Sequence, residues 1–235
     1  MTDKAWPSLC ILLLTYEDGA RNTAEITLRS ALDNIRYSGD IHVHIADDGS
    51  VPGHVDVLRA IAAGYDNVVT VGSTNANRHG YGASYNLASQ VVHTAHEIIL
   101  PLEDDWRLTR LLLLDNLVAT LNGGYHIDCI RLGYLGFTQP LQGLVMHTPA
   151  GVMMRLDPFS AERHVAAGHP RLETRAFQRG VGPWLEDRPA GATEFEWCGR
   201  AAARVNVAWP MDIIQPIGDL FVHIGSHELG ELQPG

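Results

Sequence analysis

The sequence predicts an α/β protein with a mainly parallel central sheet and helices on both of its faces. Along the first hundred residues, short apolar runs alternate with segments whose apolar residues have helical spacing. The first run, Leu9 to Thr15 (LCILLLT), is apolar on both faces, which is typical of a strand buried on both sides. Because parallel strands need long crossovers that usually contain a helix, this alternation indicates a three-layer α/β/α arrangement.

The predicted elements of the first half follow one another at short intervals. Asn22, with Glu25 three residues later, is the N-cap pattern of a first helix, which ends at Gly39. The later predicted elements are strands at residues 40–46, 68–71 and 97–102, and helices at residues 55–63 and 83–96.

After residue 121 the pattern becomes irregular, with short strand-like pieces separated by turns at residues 129–132, 143–147 and 151–156. The stretch from Pro170 to Ala192 is rich in glycine, proline and arginine, and we expect a mobile loop there. Because neither a Ser- or Gly-rich linker nor an internal repeat divides the sequence, we expect both halves to pack on one sheet.

Composition excludes several classes of protein. The 235 residues are 46% hydrophobic and 19% charged, which is enough apolar material for a buried core. A formal net charge of −10 disfavours a broad nucleic-acid-binding surface. The three cysteines lie far apart without any CxxC spacing, so a disulfide scaffold and a cysteine zinc site are both excluded.

The length of the apolar runs and the first residues of the sequence indicate the cellular compartment. The longest apolar runs fall far short of the roughly 18 residues that a membrane-spanning helix needs, so we expect no integral membrane segment. The first residues lack the basic region and cleavage site of a signal peptide. We therefore expect a cytoplasmic protein.

Two acidic clusters follow predicted strands. Asp47 and Asp48 begin the turn after the second strand, and the triplet of Glu103, Asp104 and Asp105 follows the fourth. Neighbouring carboxylates repel each other unless a cation or a hydrogen-bonding ligand is bound, and oxygen ligands favour Mg²⁺ or Mn²⁺, often shared with phosphates. The alternative is an ordinary turn and a solvated strand end.

These motifs together resemble the nucleotide-sugar-dependent glycosyltransferases of the GT-A fold, and most of all the inverting glycosyltransferase family 2. The resemblance rests on the N-terminal apolar strand, the strand ending in Asp-Asp-Gly-Ser, the Arg- and Gly-containing loop, and the acidic triplet. It implies one Rossmann-like GT-A domain over residues 1–235, with a nucleotide-sugar-binding half at 8–120 and an acceptor-binding half at 121–235. It also implies a metal-dependent, inverting transfer from a nucleoside-diphosphate sugar, with a UDP-sugar favoured and Mn²⁺ or Mg²⁺ as the ion.

By the same resemblance, the donor-binding residues lie in the first half. Arg78 is the candidate partner for phosphate charge, although a surface arginine in a Gly-rich turn is an equal alternative. The donor-binding set that the resemblance implies is Thr15, Tyr16, Glu17, Asp47, Asp48, Arg78, Asn86, Glu103 and Asp104.

The resemblance also implies metal and catalytic residues. Asp105 is the expected first metal ligand, with His223 preferred over His227 to close the metal site near the C-terminus. Spacing back from Arg200 puts Glu194 where the family has its catalytic Asp, with Glu196 after it. Their alternatives are a hydrogen-bonded core histidine for His223 and a helix start rich in acidic residues for the two glutamates.

The resemblance leaves the acceptor hydroxyl open among glycans, proteins, metabolites and modified DNA bases. A DNA acceptor needs a basic groove, for which the candidates are Arg163, Arg171, Arg175, Arg179 and Arg188. Among aromatic residues, Trp106 and Trp184 are the first candidates for stacking on a sugar. The alternative functions are a retaining GT-A glycosyltransferase, a nucleotidyltransferase of similar fold, and a non-catalytic nucleotide-sugar-binding module.

Overall fold

A central sheet of nine strands organises the computed structural model, which describes residues 6–19, 22–133, 142–157, 160, 168–204, 207–210 and 220–225. The strands are β1 Leu9–Thr15, β2 Ile35–Arg36, β3 Ile41–Asp47, β4 Val68–Asn75, β5 Ile98–Glu103, β6 Trp106–Leu108, β7 Leu112–Leu113, β8 Cys129–Arg131, β9 Gly143–Thr148, β10 Gly151–Leu156, β11 Arg171–Thr174, β12 Val207–Pro210 and β13 Phe221–His223. The helices are α1 Thr23–Asn34, α2 His54–Ala63, α3 Tyr81–Ala95, α4 Leu114–Asn122, α5 Arg175–Val181 and α6 Ala190–Arg204.

Strand direction divides the sheet, whose order is β4-β3-β1-β5-β11-β8-β12-β10-β9. The first four strands of this order are parallel, as the alternation of strands and helices predicts. Beyond β5 the directions are mixed, because β11 runs antiparallel to both of its neighbours and β9 and β10 form an antiparallel hairpin. The α/β class predicted from the sequence is confirmed.

Two hydrophobic cores cover the two faces of this sheet. Alternate residues of β1 enter different cores: Leu9, Ile11 and Leu13 pack on one side, and the residues between them on the other. Helices α1, α2 and α4 contribute to the first core, and α3, α5 and α6 to the second. This two-sided burial explains why β1 lacks a polar face, and it confirms the three-layer arrangement.

Register brings the ends of three neighbouring strands level. Thr15 at the end of β1 pairs with Asp47 at the end of β3, and Leu14 pairs with Glu103 at the end of β5. Since ligands of open α/β sheets bind beyond the carboxyl ends of the strands, this alignment defines where a site is expected.

The prediction of a mobile loop between Pro170 and Ala192 is wrong for the first part of that stretch, and only residues 182–189 lie outside helices and strands. The first part contains β11, which lies in the sheet between β5 and β8, and then α5. Arg171 is fully buried, and its charge is paired there with Glu173. Its Nε donates to Glu173 Oε2 at 2.7 Å, and the Tyr85 hydroxyl donates to Glu173 Oε1 at 2.7 Å. An arginine paired in this way fits a core, whereas its sequence context indicates a surface.

The basic groove predicted for a DNA acceptor loses part of its arginines in the same way, and only Arg179 and Arg188 of the five are exposed in the described residues. Arg171 is buried, and Arg175 donates to the backbone oxygen of His93 at 3.1 Å. Arg163 lies outside the described residues.

Some predicted boundaries shift by a few residues. The first helix gives way to β2 at Ile35 rather than continuing to Gly39, β4 extends to Asn75, and α3 begins at Tyr81. In the described ranges, none of the helices has both the length and the apolar character that crossing a bilayer requires.

Candidate active site

The two acidic clusters meet at one pocket beyond the carboxyl ends of β1, β3 and β5. Asp48 and all three residues of the acidic triplet line this pocket, although more than fifty residues separate them in sequence. The lining residues are Leu14, Thr15, Tyr16, Asp48, Tyr81, Ser84, Glu103, Asp104 and Asp105.

Asp104 is oriented by the end of β1. Its Oδ2 accepts hydrogen bonds from the Thr15 hydroxyl at 2.9 Å and from the Tyr16 amide at 3.0 Å. The Thr15 oxygen also lies 2.9 Å from His54 Nε2. Because a hydroxyl has a single hydrogen, and Asp104 accepts it, His54 must donate to Thr15. A chain of three side chains therefore holds this carboxylate in place.

Asp105 and His223 come together through a short antiparallel pairing. Strand β13 pairs with β6 so that His223 lies opposite Trp106, and the Ile224 amide donates to the Asp105 backbone oxygen at 2.7 Å. This pairing places His223 Nε2 3.0 Å from Asp105 Oδ2, a hydrogen bond, so the alternative of a hydrogen-bonded histidine is what the structure contains. The structure thus joins two residues that are 118 positions apart and that the sequence interpretation nominated as metal ligands.

The pair has the chemistry of a partial site for a divalent ion. Asp105 Oδ1 is buried and has no hydrogen-bond partner among the described residues. Adjacent ligands of an octahedral ion with bonds of about 2.1 Å lie about 3 Å apart, which is the spacing of the Asp105 and His223 atoms. Within the described ranges, no group of three such side chains surrounds one point. Asp105 and His223 therefore fit an ion whose other coordination positions are taken by water and phosphate. His227, the second choice from the sequence, lies outside the described residues.

Glu194, in the first turns of α6, lies beside Glu103, which lines the pocket, although Glu194 itself is not one of the lining residues. The Gly168 amide donates to Glu194 Oε1 at 3.2 Å, and a Cβ on Gly168 would collide with carboxylate oxygens of both glutamates. Burial, and next the charge of Glu194, raise the pKa of Glu103 well above its usual range. Glu103 consequently favours its protonated form, which relieves the repulsion within this crowded group.

Glu196 is engaged elsewhere. Its two carboxylate oxygens pair with Nε and Nη2 of Arg200 at 2.6 and 2.7 Å, one turn further along α6. The same arginine donates to the backbone oxygens of Val181 and Pro183. Of the two glutamates nominated from the sequence, the structure brings only Glu194 to the acidic triplet.

The adjacent aspartates after β3 have different surroundings. Asp47 is buried, and its carboxylate accepts hydrogen bonds from the backbone and hydroxyl of Ser50 and from the Asn75 amide at 2.8 Å. Asp48 lines the pocket, and both of its oxygens lie 3.1 Å from the Gly80 amide. Asp47 therefore shapes the turn, while Asp48 is the member of the pair that faces the pocket.

Arg78 packs over the rim of the pocket. Its guanidinium carbon lies 3.6 Å from the centre of the Tyr16 ring, a cation–π contact. The close approach requires glycine at position 49, where φ is +82° and a Cβ would lie 2.9 Å from Arg78 Cγ. Glu17, also expected to bind the donor, instead accepts from the Gly19 amide at 2.7 Å.

Asn86 lies away from the lining of this pocket. Its side-chain oxygen accepts from the Trp184 amide, and its nitrogen donates to the Trp184 carbonyl, both at 2.9 Å. Trp184 is buried and stacks on Trp197 with ring centres 4.4 Å apart. Trp106 is buried as well, against the edges of His169 and His223. These two tryptophans pack the core in this conformation.

Sequence reasoning missed several residues of the site. Tyr81 and Ser84 line the pocket from one face of α3, three residues apart. Tyr81 was missed because the predicted helix began two residues too late and left this residue in a loop, whereas Ser84 lay inside the predicted helix without a signal that it lines a pocket. His54 had no signal in the sequence, since its role depends on the contact with Thr15.

Comparison with known proteins places the fold among glycosyltransferases. A crystal structure of S. aureus TarS 1-349 in complex with UDP-GlcNAc has a TM-score of 0.62 and 14% identity, over 93% of this chain and 61% of that one. The mannosyltransferase PcManGT from Pyrobaculum calidifontis in complex with GDP-Man and Mn²⁺ has a TM-score of 0.56 and 14% identity, over 89% and 56%. GalNAc-T7 with UDP, GalNAc and Mn²⁺ has a TM-score of 0.56 and 14% identity, over 88% and 43%.

The chain thus spans less than two thirds of the length of each of these three structures. No curated protein sequence matches it. Residues 10–139, more than half of the 235 residues, match the Glycosyl transferase family 2, and the chain belongs to that family.

Proposed function

We propose that this protein is a metal-dependent, inverting glycosyltransferase that moves a sugar from a nucleoside-diphosphate sugar to an acceptor hydroxyl. The observation that carries the proposal is the convergence of Asp48 with the acidic triplet at one pocket beyond three level strand ends. With Glu103 protonated, the carboxylates of Asp48, Asp104 and Asp105 still concentrate negative charge at one pocket, and a cation with a hydroxyl-rich, phosphate-bearing ligand relieves their repulsion.

The donor half of the proposal rests on the residues around β1 and β3. Asp48 and Asp104 present acceptors for the base and the ribose hydroxyls, while Arg78 stands at the rim with a charge suited to phosphate. Residues 8–120 would therefore bind the nucleotide. TarS is seen with UDP-GlcNAc and GalNAc-T7 with UDP, which supports a UDP-sugar as the first donor to test.

Asp105 and His223 would hold a Mn²⁺ or Mg²⁺ ion. When bound, such an ion neutralises negative charge on the departing diphosphate. The protein's own part is to hold Asp105 Oδ2 and His223 Nε2 at ligand spacing through the β6–β13 pairing.

Glu194 is the proposed general base. As the acceptor oxygen forms its bond to the anomeric carbon, its proton passes to the Glu194 carboxylate. The bond from that carbon to the diphosphate breaks on the opposite face, and its electron pair leaves with the phosphate oxygen, so the configuration inverts. Residues 121–235, which supply Glu194 and His223, would form the acceptor half.

A thermal-shift panel of nucleoside diphosphates, each with and without Mn²⁺, tests donor binding. A ligand that binds only the native state raises the melting temperature, and we expect the largest rise with UDP and Mn²⁺ together. No shift with any nucleoside diphosphate and ion would reject the proposal. Proton NMR of the anomeric signal in the product then decides between inversion and the retaining alternative.

A pair of variants tests the base. Glu194→Gln should leave UDP binding intact while lowering kcat by roughly a hundredfold or more, the usual contribution of a general base. Glu196→Gln is the matched control. It makes the same change two residues further along α6, at a carboxylate already paired with Arg200. A rate for Glu194→Gln within threefold of wild type, or a larger loss in Glu196→Gln, would remove Glu194 from this role.

We also propose a cytoplasmic location. Cys10, Cys129 and Cys198 are all free thiols, and free thiols persist best in a reducing compartment.

A further inference from the structure

A backbone amide holds the carboxylate that is proposed as the general base. The Gly168 amide donates to Glu194 Oε1 at 3.2 Å. This amide belongs to a short segment, residues 168–170, that leads into β11. Because the bond fixes one carboxylate oxygen, it restricts rotation of the group and sets the direction of the other oxygen. The position of the segment therefore decides where the base can accept a proton.

Position 168 has no space for a side chain. Gly168 is buried, and a Cβ added to it would overlap the carboxylate ends of Glu103 and Glu194. None of the three atoms nearest to that Cβ belongs to the backbone. Because the ends of long side chains move more readily than packed main chain, a larger residue would displace the two carboxylates first. Glycine at this position is therefore tied to the placement of Glu194.

The far end of the segment is bonded to β8. The Leu132 and Gly133 amides donate to the Pro170 oxygen at 2.8 and 3.1 Å. A Cβ on Gly133 would lie 2.9 Å from Pro170 Cδ, so glycine permits this close approach. Since β8 lies inside the central sheet, between β11 and β12, the segment is anchored to a rigid element.

Arg131 ties the middle of the segment to the same strand. This residue is 3% exposed, its Nη2 lies 2.8 Å from His169 Nδ1, and its Nε donates to the Gly133 oxygen at 2.9 Å. A guanidinium has no acceptor, so His169 Nδ1 must accept, and the neutral ring carries its hydrogen on Nε2. One buried charge therefore bonds both the segment and the end of the strand, and hydrogen bonds from charged donors are the strong ones.

The segment also packs against the metal side of the site. The ring centres of His169 and Trp106 lie 5.1 Å apart in an edge contact, and Trp106 makes a similar contact with His223 at 5.2 Å. Trp106 thus touches both the segment that holds Glu194 and the histidine proposed as a metal ligand. Because close-packed rings resist displacement, these contacts keep the base at a set distance from the metal ligands.

We propose that Gly168 and Arg131 are positioning residues for glycosyl transfer. Arg131 fixes residues 168–170 against β8, and the Gly168 amide then orients the Glu194 carboxylate for the acceptor hydroxyl. The inference rests on the proposed function, because it takes Glu194 as the general base. Within the described part of the chain, neither positioning residue lines the donor pocket, so loss of either should lower kcat and spare donor affinity.

Amide NMR of the full chain tests the contact without substrate or metal. Glu194→Gln replaces the carboxylate with a neutral and weaker acceptor, so the Gly168 amide proton should move upfield. Glu196→Gln, at a carboxylate paired with Arg200, should leave that resonance unmoved. An unmoved Gly168 resonance in Glu194→Gln, or an equal shift in both variants, overturns the proposal.

Nucleotide release from UDP-GlcNAc, UDP-glucose and GDP-mannose with Mn²⁺ tests the effect on rate, and the variants are compared on the donor that wild type turns over fastest. Gly168→Ala pushes the base aside and should lower kcat by roughly tenfold or more, while donor KM and UDP affinity stay within about threefold of wild type. His169→Leu removes the acceptor for Arg131 and should lower kcat likewise. His169→Asn offers Arg131 a side-chain oxygen in place of Nδ1 and should restore most of the rate.

Gly191→Ala is the matched control, because it lies on α6 just before Glu194 and its Cβ would meet no atom of the described residues within 4 Å. It should keep the wild-type rate. A wild-type kcat in Gly168→Ala, with Glu194→Gln slow, overturns this inference alone, whereas a wild-type rate in Glu194→Gln overturns the proposed function. No nucleotide release by wild type from any donor overturns both. A loss in His169→Leu that His169→Asn shares, or one matched by weaker UDP binding, also overturns the inference, because these residues then serve folding alone.

Discussion

Replacing Thr15 with valine isolates one hydroxyl at the centre of the site. Thr15 is 5% exposed, and its hydroxyl donates to Asp104 Oδ2 and accepts from His54 Nε2, each at 2.9 Å. Valine has nearly the same shape, so the change removes both hydrogen bonds without leaving a sizeable cavity. The perturbation therefore measures the chain of side chains that orients Asp104.

The expected loss of stability is about 2 kcal/mol. A hydrogen bond to a charged group contributes roughly 1.5–3 kcal/mol, and one between neutral groups roughly 0.5–1.5 kcal/mol. The lower end of each range applies, because the Tyr16 amide still donates to the same Asp104 oxygen. With a urea m-value of about 2 kcal/mol/M, the unfolding midpoint should fall by about 1 M.

Urea unfolding followed by tryptophan fluorescence measures the midpoint, and calorimetry measures UDP affinity in parallel. We expect Thr15→Val to bind UDP several-fold more weakly, since Asp104 loses one of its two donors. Thr15→Ser keeps the hydroxyl and loses one methyl group, which costs about 1 kcal/mol of stability but should spare UDP affinity. A midpoint change below 0.3 M in Thr15→Val, or equal UDP affinity in all three proteins, would refute the reasoning.

Three further changes test other parts of the molecule. Asp105→Asn should abolish the effect of Mn²⁺ on UDP binding while sparing the metal-free affinity, and an undiminished Mn²⁺ effect in the same titration would exclude Asp105 as a ligand. Burial and the nearby His42 ring lower the pKa of His96 to about 4, against about 6.5 in the unfolded chain. The stability from His96 is therefore complete above about pH 6.5 and falls as the pH drops towards 4, by at most ~1.4 kcal/mol per pH unit before the discount for partial exposure. Melting temperatures from pH 7.5 to 4.5 should decline less steeply in His96→Gln, and parallel curves would contradict the assignment. Glu173→Leu leaves the Arg171 charge buried and unpaired, which should cost about 3–5 kcal/mol in urea unfolding; a loss below 1 kcal/mol would show that water reaches the arginine.

Local sequence was sufficient for the first half of the fold. The run from Leu9 to Thr15 lacks a polar face, and only a strand with a core on each side satisfies that pattern. The acidic clusters stood at strand ends in the sequence, and in a parallel sheet such ends lie on one edge. Convergence of Asp48 with the acidic triplet could therefore be expected without coordinates.

Local sequence did not predict the second half of the fold in the same way. The stretch that contains β11 was predicted to be a loop because it is rich in glycine, proline and arginine, yet Arg171 and Glu173 pair inside the sheet. The side chains of Asp47 and Asp48 are chemically identical. Only the backbone conformation of the turn decides that Asp47 accepts a hydrogen bond from the Ser50 amide while Asp48 lines the pocket.

Periodicity determined the strands and helices of the first half, their layers and the edge that carries the acids, because the spacing of apolar residues along a strand or helix is a local pattern. Tertiary structure alone decided that His223 reaches Asp105, that Glu194 rather than Glu196 meets Glu103, and that His54 supports Thr15. Each of these contacts joins residues that are distant along the chain, and their meeting depends on strand register and helix packing. No local pattern encodes such meetings, since they arise only when the whole core is assembled.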